Sequence, residues 1–203
     1  MDRPRTAHPI EVESFRILRS RVDTAGLPPC TRAVIERVIH TSADLDYADD
    51  LVCDEAALRA GWTALHAGAP VVVDVRMLAA GITSRTAVVA LDLAGPTTDG
   101  LTRTAAGVRR AAQEYPDGAV WAVGNAPTAL RELVRLAAAG SVRPVLVVGM
   151  PVGFVDAADA KAALRASGLP AVSNRSAKGG TAVAAAAVNA LLYLDALELE
   201  MPP

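Results

Sequence analysis

The sequence has few aromatic residues and no large excess of charge of either sign. Aromatic residues make up 3 % of the 203 residues, which leaves alanine, valine and leucine to fill a core. Hydrophobic residues make up 52 % and charged residues 21 %, a balance typical of a globular protein rather than a disordered one. The formal net charge of −2 gives no overall basic field. We therefore expect neither nucleic acid nor a membrane surface as a partner.

No export signal, membrane span or cysteine motif is visible in the sequence. The two cysteines, Cys30 and Cys53, form no metal or redox motif and are expected to be free thiols. Residues 1–11 carry charges and prolines but no apolar run of the kind that signal peptides contain. The most apolar stretch, residues 181–194, is shorter than a membrane span and contains Asn189, so it predicts a buried helix. These observations predict a cytoplasmic protein.

The motifs of the common nucleotide, hydrolase and metal sites are missing as well. Neither glycine-rich loop fits GxGxxG, and the chain has no GxxxxGK[ST], GxSxG or HExxH. His8, His40 and His66 fall in different predicted elements, so we expect no metal site. The acidic run at 44–50 lacks the glycine and the closing glutamate of an EF-hand loop. We expect these acids to solvate a loop and the start of a helix.

What the sequence does contain is an alternation of short apolar segments with helical patterns. Strands are predicted at 71–75, 88–93, 119–123, 145–148 and 170–173. Helices are predicted at 11–22, from a cap at Thr31 through 39, and at 55–67, 104–114, 128–139, 156–166 and 181–194. Nearly unbroken apolar strands between helices indicate an α/β fold with a mostly parallel sheet covered on both faces. No linker-like segment divides the chain, so residues 1–203 are expected to form one domain.

Three loops that follow predicted strands are the expected place for a ligand, because such folds bind ligands beyond the carboxyl ends of the strands. The loops lie at 124–128, 149–154 and 178–181. Asn125 and Thr128 are expected to cap the helix after the first loop, with Pro127 in its first turn. Gly179 and Gly180 have no side chains to cover their backbone N–H groups, and they lie just before a helix. The pair therefore forms either an anion site or a tight turn.

Longer strings of the sequence carry a family resemblance. The two most specific are VGNAPTAL at 123–130 and GMPVGFV at 149–155. Shorter ones are HPIE at 8–11, ESF at 13–15, RVIH at 37–40, AGAP at 67–70 with Asp74 after it, AGIT at 80–83, TRTAA at 102–106 and GGT at 179–181. In these strings, which span nearly the whole chain, the sequence resembles the precorrin-8X methylmutase family.

The resemblance implies a fold, an assembly and a reaction. It implies a Rossmann-like three-layer domain with a mostly parallel central sheet, in a homodimer whose active site is partly shared between subunits. The reaction is the migration of the C-11 methyl group of precorrin-8X to C-12, which gives hydrogenobyrinic acid. In the anaerobic relatives the cobalt-containing substrate, cobalt-precorrin-8, gives cobyrinic acid. The resemblance implies a tetrapyrrole substrate and neither a cofactor nor a metal.

The resemblance also assigns roles to single residues. His40 matches the catalytic histidine, although its place after an apolar helical stripe is by itself more typical of a packed or capping histidine than of a catalytic one. Ser14 and Thr83 match ligand-contacting positions, although a hydroxyl at either place can simply cap a helix or turn. Thr102 and Arg103 open a helix, and the forked guanidinium of Arg103 suits a substrate carboxylate. A solvated first-turn arginine is the alternative for Arg103.

Two other functions remain open at this level. A tetrapyrrole-binding carrier would keep the same pocket without turnover. A nucleotide-binding α/β enzyme would use the loop at 149–154 for phosphate, but the missing dinucleotide and P-loop motifs count against it. Met150, Val152 and Phe154 are expected either to form an apolar wall for the macrocycle or to pack in the core.

Overall fold

A computed structural model describes residues 8–96 and 100–195 of the chain. The described helices are α1 (Pro9–Arg19), α2 (Pro29–Ser42), α3 (Tyr47–Asp50), α4 (Glu55–His66), α5 (Arg76–Gly81), α6 (Arg103–Glu114), α7 (Pro127–Ala138), α8 (Ala157–Ala166) and α9 (Thr181–Tyr193). The strands are β1 (Leu51–Cys53), β2 (Val71–Val73), β3 (Val88–Val89), β4 (Val120–Val123), β5 (Leu146–Gly149) and β6 (Ala171–Asn174).

The six strands form one sheet in the order β1-β6-β5-β4-β2-β3. All neighbouring strands are parallel except β1, which pairs with β6 in the antiparallel sense. Trp121 at the centre of the sheet lies opposite Val72 on one side and Val147 on the other. The α/β fold with a mostly parallel sheet is therefore confirmed.

Helices cover both faces of the sheet and give the domain three layers. Along β2, Val71 and Val73 point into one apolar core, while Val72 points into the other. The first core lies under α2, α4, α5 and α9, and the second lies under α6, α7 and α8. Because successive strand residues face opposite sides, both faces of each central strand must be apolar.

The final helix was predicted as a buried element, and the structure confirms it. Most residues of α9 from Val183 to Leu191 are buried, and α9 packs mainly against α2. None of the described helices has the length and apolar character that crossing a bilayer requires. Cys30 and Cys53 are free thiols, and burial raises the pKa of each to about 12.

Three details of the predicted elements are wrong. The strand predicted at 88–93 contains only Val88–Val89, and residues Ala90–Leu93 form a 3₁₀ turn. Helix α6 lies directly against this turn, since a Cβ on Gly107 would be 2.3 Å from the carbonyl oxygen of Ala90. Strand β1 and the short helices α3 and α5 were not predicted, because elements of three to six residues show too little periodicity.

The third error concerns the start of α2, which begins at Pro29 rather than after a cap at Thr31. The side chain that satisfies the first turn comes from α4. The Glu55 carboxylate accepts hydrogen bonds from the backbone N–H of Cys30 and from both the N–H and the hydroxyl of Thr31. A carboxylate at a helix N-terminus is also favoured by the helix dipole.

Candidate functional site at the first two helices and the carboxyl edge of the sheet

His40 lies in the last turn of α2, half-buried against α1. Its Nδ1 atom is 2.7 Å from Ser14 Oγ, a hydrogen bond between two helices that are 26 residues apart in sequence. Nε2 forms no hydrogen bond with any residue the structure describes. The geometry therefore fixes one ring nitrogen and leaves the other available to a ligand.

An aromatic ring holds the imidazole plane. The Phe15 ring stacks on His40 with the centroids 4.9 Å apart and the planes 11° from parallel. The Arg37 guanidinium lies 5.0 Å from the Phe15 centroid and forms a 2.6 Å ion pair with Glu11. Stacking and ion pairing together restrict how the imidazole can rotate.

The charges around His40 act in opposite directions on its proton affinity. Burial lowers the pKa of His40 below its ordinary value, the positive charge of Arg37 lowers it further, and the carboxylate of Glu11 raises it. A lowered pKa makes the imidazolium a stronger acid, because the charged form is poorly solvated. His40 is therefore suited to give up a proton and take it back near neutral pH.

The sequence reasoning missed Glu11, Phe15 and Arg37 as parts of this cluster. Glu11, Ser14 and Phe15 are spaced i, i+3, i+4 on α1, and Arg37 and His40 are spaced i, i+3 on α2. Such spacing places side chains on one helix face. Polar residues on the two helix faces that pack together were the signal that could have identified Glu11 and Arg37.

Asp74, at the carboxyl end of β2, organises the first loop at the sheet edge. Its buried carboxylate accepts hydrogen bonds from the backbone N–H groups of Gly124, Asn125 and Ala126, at 3.3, 2.8 and 2.9 Å. Burial raises the pKa of Asp74, and these three bonds oppose that rise.

The predicted capping roles of Asn125 and Thr128 are wrong. Ala126 is the N-cap residue of α7, which has no side-chain cap bond, and Asp74 satisfies the preceding backbone instead. Pro127 opens the helix as predicted.

Gly179 and Gly180 lie immediately before α9 at the same edge. Both have φ values that favour glycine, 146° and 125°. A Cβ on Gly179 would lie 2.5 Å from the Met150 carbonyl oxygen, so a side chain has no room there. The Gly180 N–H donates to the Met150 carbonyl at 2.9 Å, whereas no described residue accepts from the Gly179 N–H.

The acidic run holds this loop, whereas we expected its acids to solvate a loop and the start of a helix. Asp50 accepts hydrogen bonds from the backbone N–H groups of Arg175 and Ser176 and from the Ser176 hydroxyl. Asp44 and Asp46 bind Lys178 Nζ at 2.7 and 2.6 Å. Because Asp44 lies four residues after His40, these bonds join the glycine loop to the end of α2.

Thr102 and Arg103 form a separate group at the start of α6. Thr102 is the N-cap residue, and its hydroxyl accepts from the Ala105 N–H and lies 2.8 Å from Thr128 Oγ1. Arg103 is exposed and has no ion pair with any described residue. A cavity of about 480 Å³ beside Thr102 and Thr128 extends between α6, α7 and α8.

Thr83 lies against the second half of α9. Its N–H donates to Asn189 Oδ1 at 3.4 Å, and its hydroxyl hydrogen-bonds with the Tyr193 hydroxyl. Tyr193 is twelve positions beyond Thr181, about 18 Å along a helix at 1.5 Å per residue. Thr83 thus lies away from the glycine loop and shows no hydrogen bond with the His40 cluster in the described part of the chain.

The loop after β5 divides between core and surface. Met150 is fully buried in the core, which is the second of the two alternatives that the sequence left open for it. Val152, Phe154 and Val155 are exposed, and Phe154 is fully so. The exposed part of the loop is available to a ligand or to a partner.

Within one chain, hydrogen bonds join Ser14 with His40 and Thr102 with Thr128. Arg103 follows Thr102 on α6, and among the described residues no hydrogen bond links Thr83, Arg103 or the glycine pair directly to His40 or Ser14. Across residues 8–96 and 100–195, no group of three His, Cys, Asp or Glu side chains is arranged to hold a metal ion.

Comparison with known proteins gives one consistent family. The family described as precorrin-8X methylmutase matches residues 9–194. The precorrin-8X methylmutase of Pseudomonas aeruginosa is 39 % identical, over 94 % of this chain and 97 % of its own. The cobalt-precorrin-8 methylmutase of Synechocystis sp. is 38 % identical, over 92 % and 95 %. The crystal structure of precorrin-8x methyl mutase from Thermus thermophilus matches with a TM-score of 0.82 and 39 % identity, covering 92 % of this chain and 97 % of that one.

Proposed function

The chain belongs to the precorrin-8X methylmutase family, and from this premise we propose that it moves the C-11 methyl group of precorrin-8X, or of cobalt-precorrin-8, to C-12. The product is hydrogenobyrinic acid or cobyrinic acid. The observation that carries the assignment of His40 is its 2.7 Å contact with Ser14 in a half-buried aromatic setting.

His40 acts as general acid and then as general base. Its free Nε2 atom donates a proton to the conjugated macrocycle, which makes the ring electron-poor and favours migration. The methyl group moves with its bonding electron pair from C-11 to C-12, so no oxidant or reductant is consumed. Loss of the proton back to His40 restores the conjugation. The lowered pKa of His40 favours the first step, because a stronger acid gives up its proton more readily.

Ser14 and Phe15 position the imidazole during both transfers. While His40 is charged, both ring nitrogens carry hydrogen, and Ser14 Oγ accepts from Nδ1–H. Nε2–H is then the only ring donor that remains for the substrate. The Phe15 ring supports the plane of the imidazole and keeps Nε2 directed to one place.

Anionic arms of the substrate require local donors, because the protein has a net charge of −2. Arg103 offers a guanidinium without an ion-pair partner among the described residues, and a forked guanidinium binds carboxylates in two parallel bonds. Thr102 and Thr83 offer hydroxyls, and Gly179 and Gly180 lie at the N-terminus of α9, where the helix dipole favours anions. We assign these five residues to substrate binding.

The proposal includes a homodimer that works in the cytoplasm. Two observations support a shared site. Arg103 begins α6 and His40 lies in the last turn of α2, and these two helices pack on opposite faces of the sheet. Several large apolar side chains are exposed, among them Ile10, Met77 and Phe154. A closed two-fold dimer would bury such side chains and bring one subunit's arginine beside the other's histidine. A permanent interface of this kind should bury well over roughly 1,000 Å².

The test of the function is direct incubation with each substrate. The metal-free and the cobalt-bound forms are added separately, and the visible absorbance is followed, because migration extends the conjugated path. We expect conversion of at least one form. Tight binding of both substrate and product without any spectral change would contradict the isomerase and favour a carrier.

A further inference from the structure

Lys161 is the one lysine of the described chain that is fully buried, and it lies behind the glycine loop on α8. Its Nζ atom is 2.9 Å from Asn174 Oδ1 and 2.6 Å from the carbonyl oxygen of Lys178. Both acceptors are neutral. A buried ammonium whose hydrogen-bond acceptors are both neutral is costly, so filling space alone does not account for this side chain.

The peptide bond that Lys161 holds is the one that carries the Gly179 N–H. Asn174 Nδ2 also donates to the Lys178 carbonyl, at 2.9 Å, so two donors fix this oxygen. No cis peptide occurs among the described residues, and in a trans peptide the C=O and the N–H point in opposite directions. With the Lys178 oxygen directed inward at Lys161, the Gly179 N–H is directed away from it, toward the space before α9.

We propose that Lys161 is a positioning residue for substrate binding: its ammonium holds the Lys178 carbonyl and thereby directs the Gly179 N–H at a carboxylate of the bound tetrapyrrole. The inference rests on the proposed function of the glycine loop. Donation to the carbonyl also polarises the peptide bond, which strengthens its N–H as a donor. The positive charge therefore acts on the substrate through one peptide bond without touching it.

The charged groups around Lys161 set when this effect operates. Burial lowers the pKa of Lys161 to about 8, Arg165 on the same helix lowers it further, and Asp50 from the α3 side raises it. The positive charge of Arg175, in the loop itself, contributes to lowering the pKa of Arg165. The other nearby cation, Lys178 Nζ, is held by Asp44 and Asp46. Below pH 8 the ammonium is charged; above it, the neutral amine donates weaker hydrogen bonds.

The chain offers a specific probe of this peptide bond, because it contains only one Lys–Gly pair, Lys178–Gly179. Protein labelled with ¹³C-carbonyl lysine and ¹⁵N-glycine gives one signal linking this carbonyl to its amide. We expect that signal to titrate with a midpoint of about 8 in the wild-type protein. In Lys161→Met the titration should vanish. Lys178→Met is the control, because it removes the only other lysine ammonium of the sequence. In this variant the ¹³C-carbonyl label is placed on methionine instead of lysine. The Gly179 amide should still titrate.

Steady-state kinetics provide the second readout. Lys161→Met should raise KM about ten-fold and leave kcat within about two-fold, since a charged hydrogen bond that serves binding is weakened. In the wild type KM should rise with pH above about 8, and in Lys161→Met this rise should be absent. If the variant does not fold, the wild-type amide titration and the pH dependence of KM still test the proposal.

Hydrogenobyrinic acid separates the two possible failures. If this product does not shift the Gly179 amide signal, the glycine loop does not bind substrate and that part of the proposed function is wrong. If it shifts the signal equally in wild type and in Lys161→Met, the loop binds but Lys161 does not position it. A wild-type amide that shows no titration between about pH 6.5 and pH 9.5 also overturns the inference.

Discussion

Ser14 Oγ lies 2.7 Å from His40 Nδ1, and this single hydrogen bond joins the catalytic candidate on α2 to helix α1. α1 packs mainly on α2, and its N-terminal half exposes Ile10 and Val12 to solvent. The contact therefore makes the orientation of the imidazole depend on how α1 is seated. A serine hydroxyl can serve both charge states of the ring, because it can accept from Nδ1–H or donate to bare Nδ1.

Ser14→Ala should lower kcat about three- to ten-fold with a smaller change in KM, because one neutral hydrogen bond contributes roughly 0.5–1.5 kcal/mol. The matched control is Ser20→Ala at the end of the same helix, whose hydroxyl bonds, among the described residues, only to the Ile17 carbonyl. Steady-state kinetics of both variants provide the measurement. Equal loss in the two variants would mean that the stability of α1, not the contact with His40, accounts for the effect.

His40→Ala separates an enzyme from a carrier. If His40 supplies the proton, turnover should fall roughly 10²–10⁴-fold, the usual scale for general acid–base catalysis. Binding of hydrogenobyrinic acid should survive, because the proposed carboxylate donors lie elsewhere. The measurement pairs visible absorbance for turnover with calorimetry for product binding. Turnover at the wild-type rate would show that the mechanism is wrong while leaving the family membership intact.

The ion pair between Glu11 and Arg37 beside His40 allows a test in which two variants are expected to shift the His40 pKa in opposite directions. Glu11→Gln and Arg37→Gln both break the same 2.6 Å ion pair, so any purely structural effect is common to them. The charge effects are opposite: Glu11→Gln should lower the pKa of His40 further, and Arg37→Gln should raise it toward about 6.5. NMR titration of the His40 ring gives both values directly.

The same pair of variants should move the pH profile. Because the acid form of His40 starts the reaction, kcat/KM falls as the pH rises through the His40 pKa in the free enzyme. The midpoint of that fall should move to lower pH in Glu11→Gln and to higher pH in Arg37→Gln. Shifts of the same sign in both variants would be incompatible with the electrostatic account.

How far the sequence could predict this protein differs between fold and site. The central strands were predictable because each is buried on both faces and reads as an unbroken apolar run, as at 71–73 and 146–149. Strand β1 was not, because three residues at a sheet edge show no period. The shortened β3 could not be foreseen either, since the 3₁₀ turn that replaces its second half packs closely against Gly107 of α6, a tertiary contact that no local pattern announces.

The candidate site shows the same contrast between features that have a local sequence pattern and features that depend on tertiary contacts. His40 was proposed through its family motif, and Ser14 was named on the same basis, but their mutual contact depends on how α1 packs on α2. The acidic run was misjudged because its partners, Ser176 and Lys178, are about 130 residues away. Long-range polar partners leave no local pattern, so sequence reasoning treated Asp50 as a solvated residue.

Arg103 is the proposed carboxylate clamp, and its replacement should weaken binding rather than catalysis. Arg103→Ala should cost about 1.5–3 kcal/mol of binding free energy for hydrogenobyrinic acid, the range for a hydrogen bond to a charged group. Arg103→Lys should recover only part, since a point charge cannot reproduce the guanidinium fork. Arg110 of the same helix, exposed and paired with Glu114, provides the control through Arg110→Ala. Calorimetry that finds unchanged affinity in Arg103→Ala removes it from the site.

Mixed dimers test whether one active site takes residues from two subunits. His40→Ala and Arg103→Ala should each be impaired as homodimers. If His40 of one subunit works with Arg103 of the other, half of the randomly paired dimers contain one intact site and one site with both defects. An equal mixture should therefore regain about a quarter of wild-type activity. If each site is built within one chain, every mixed dimer instead holds two singly impaired sites, and no activity returns on mixing. Light scattering at micromolar concentration must show dimers in both preparations, and a fully active monomer would contradict the shared site outright.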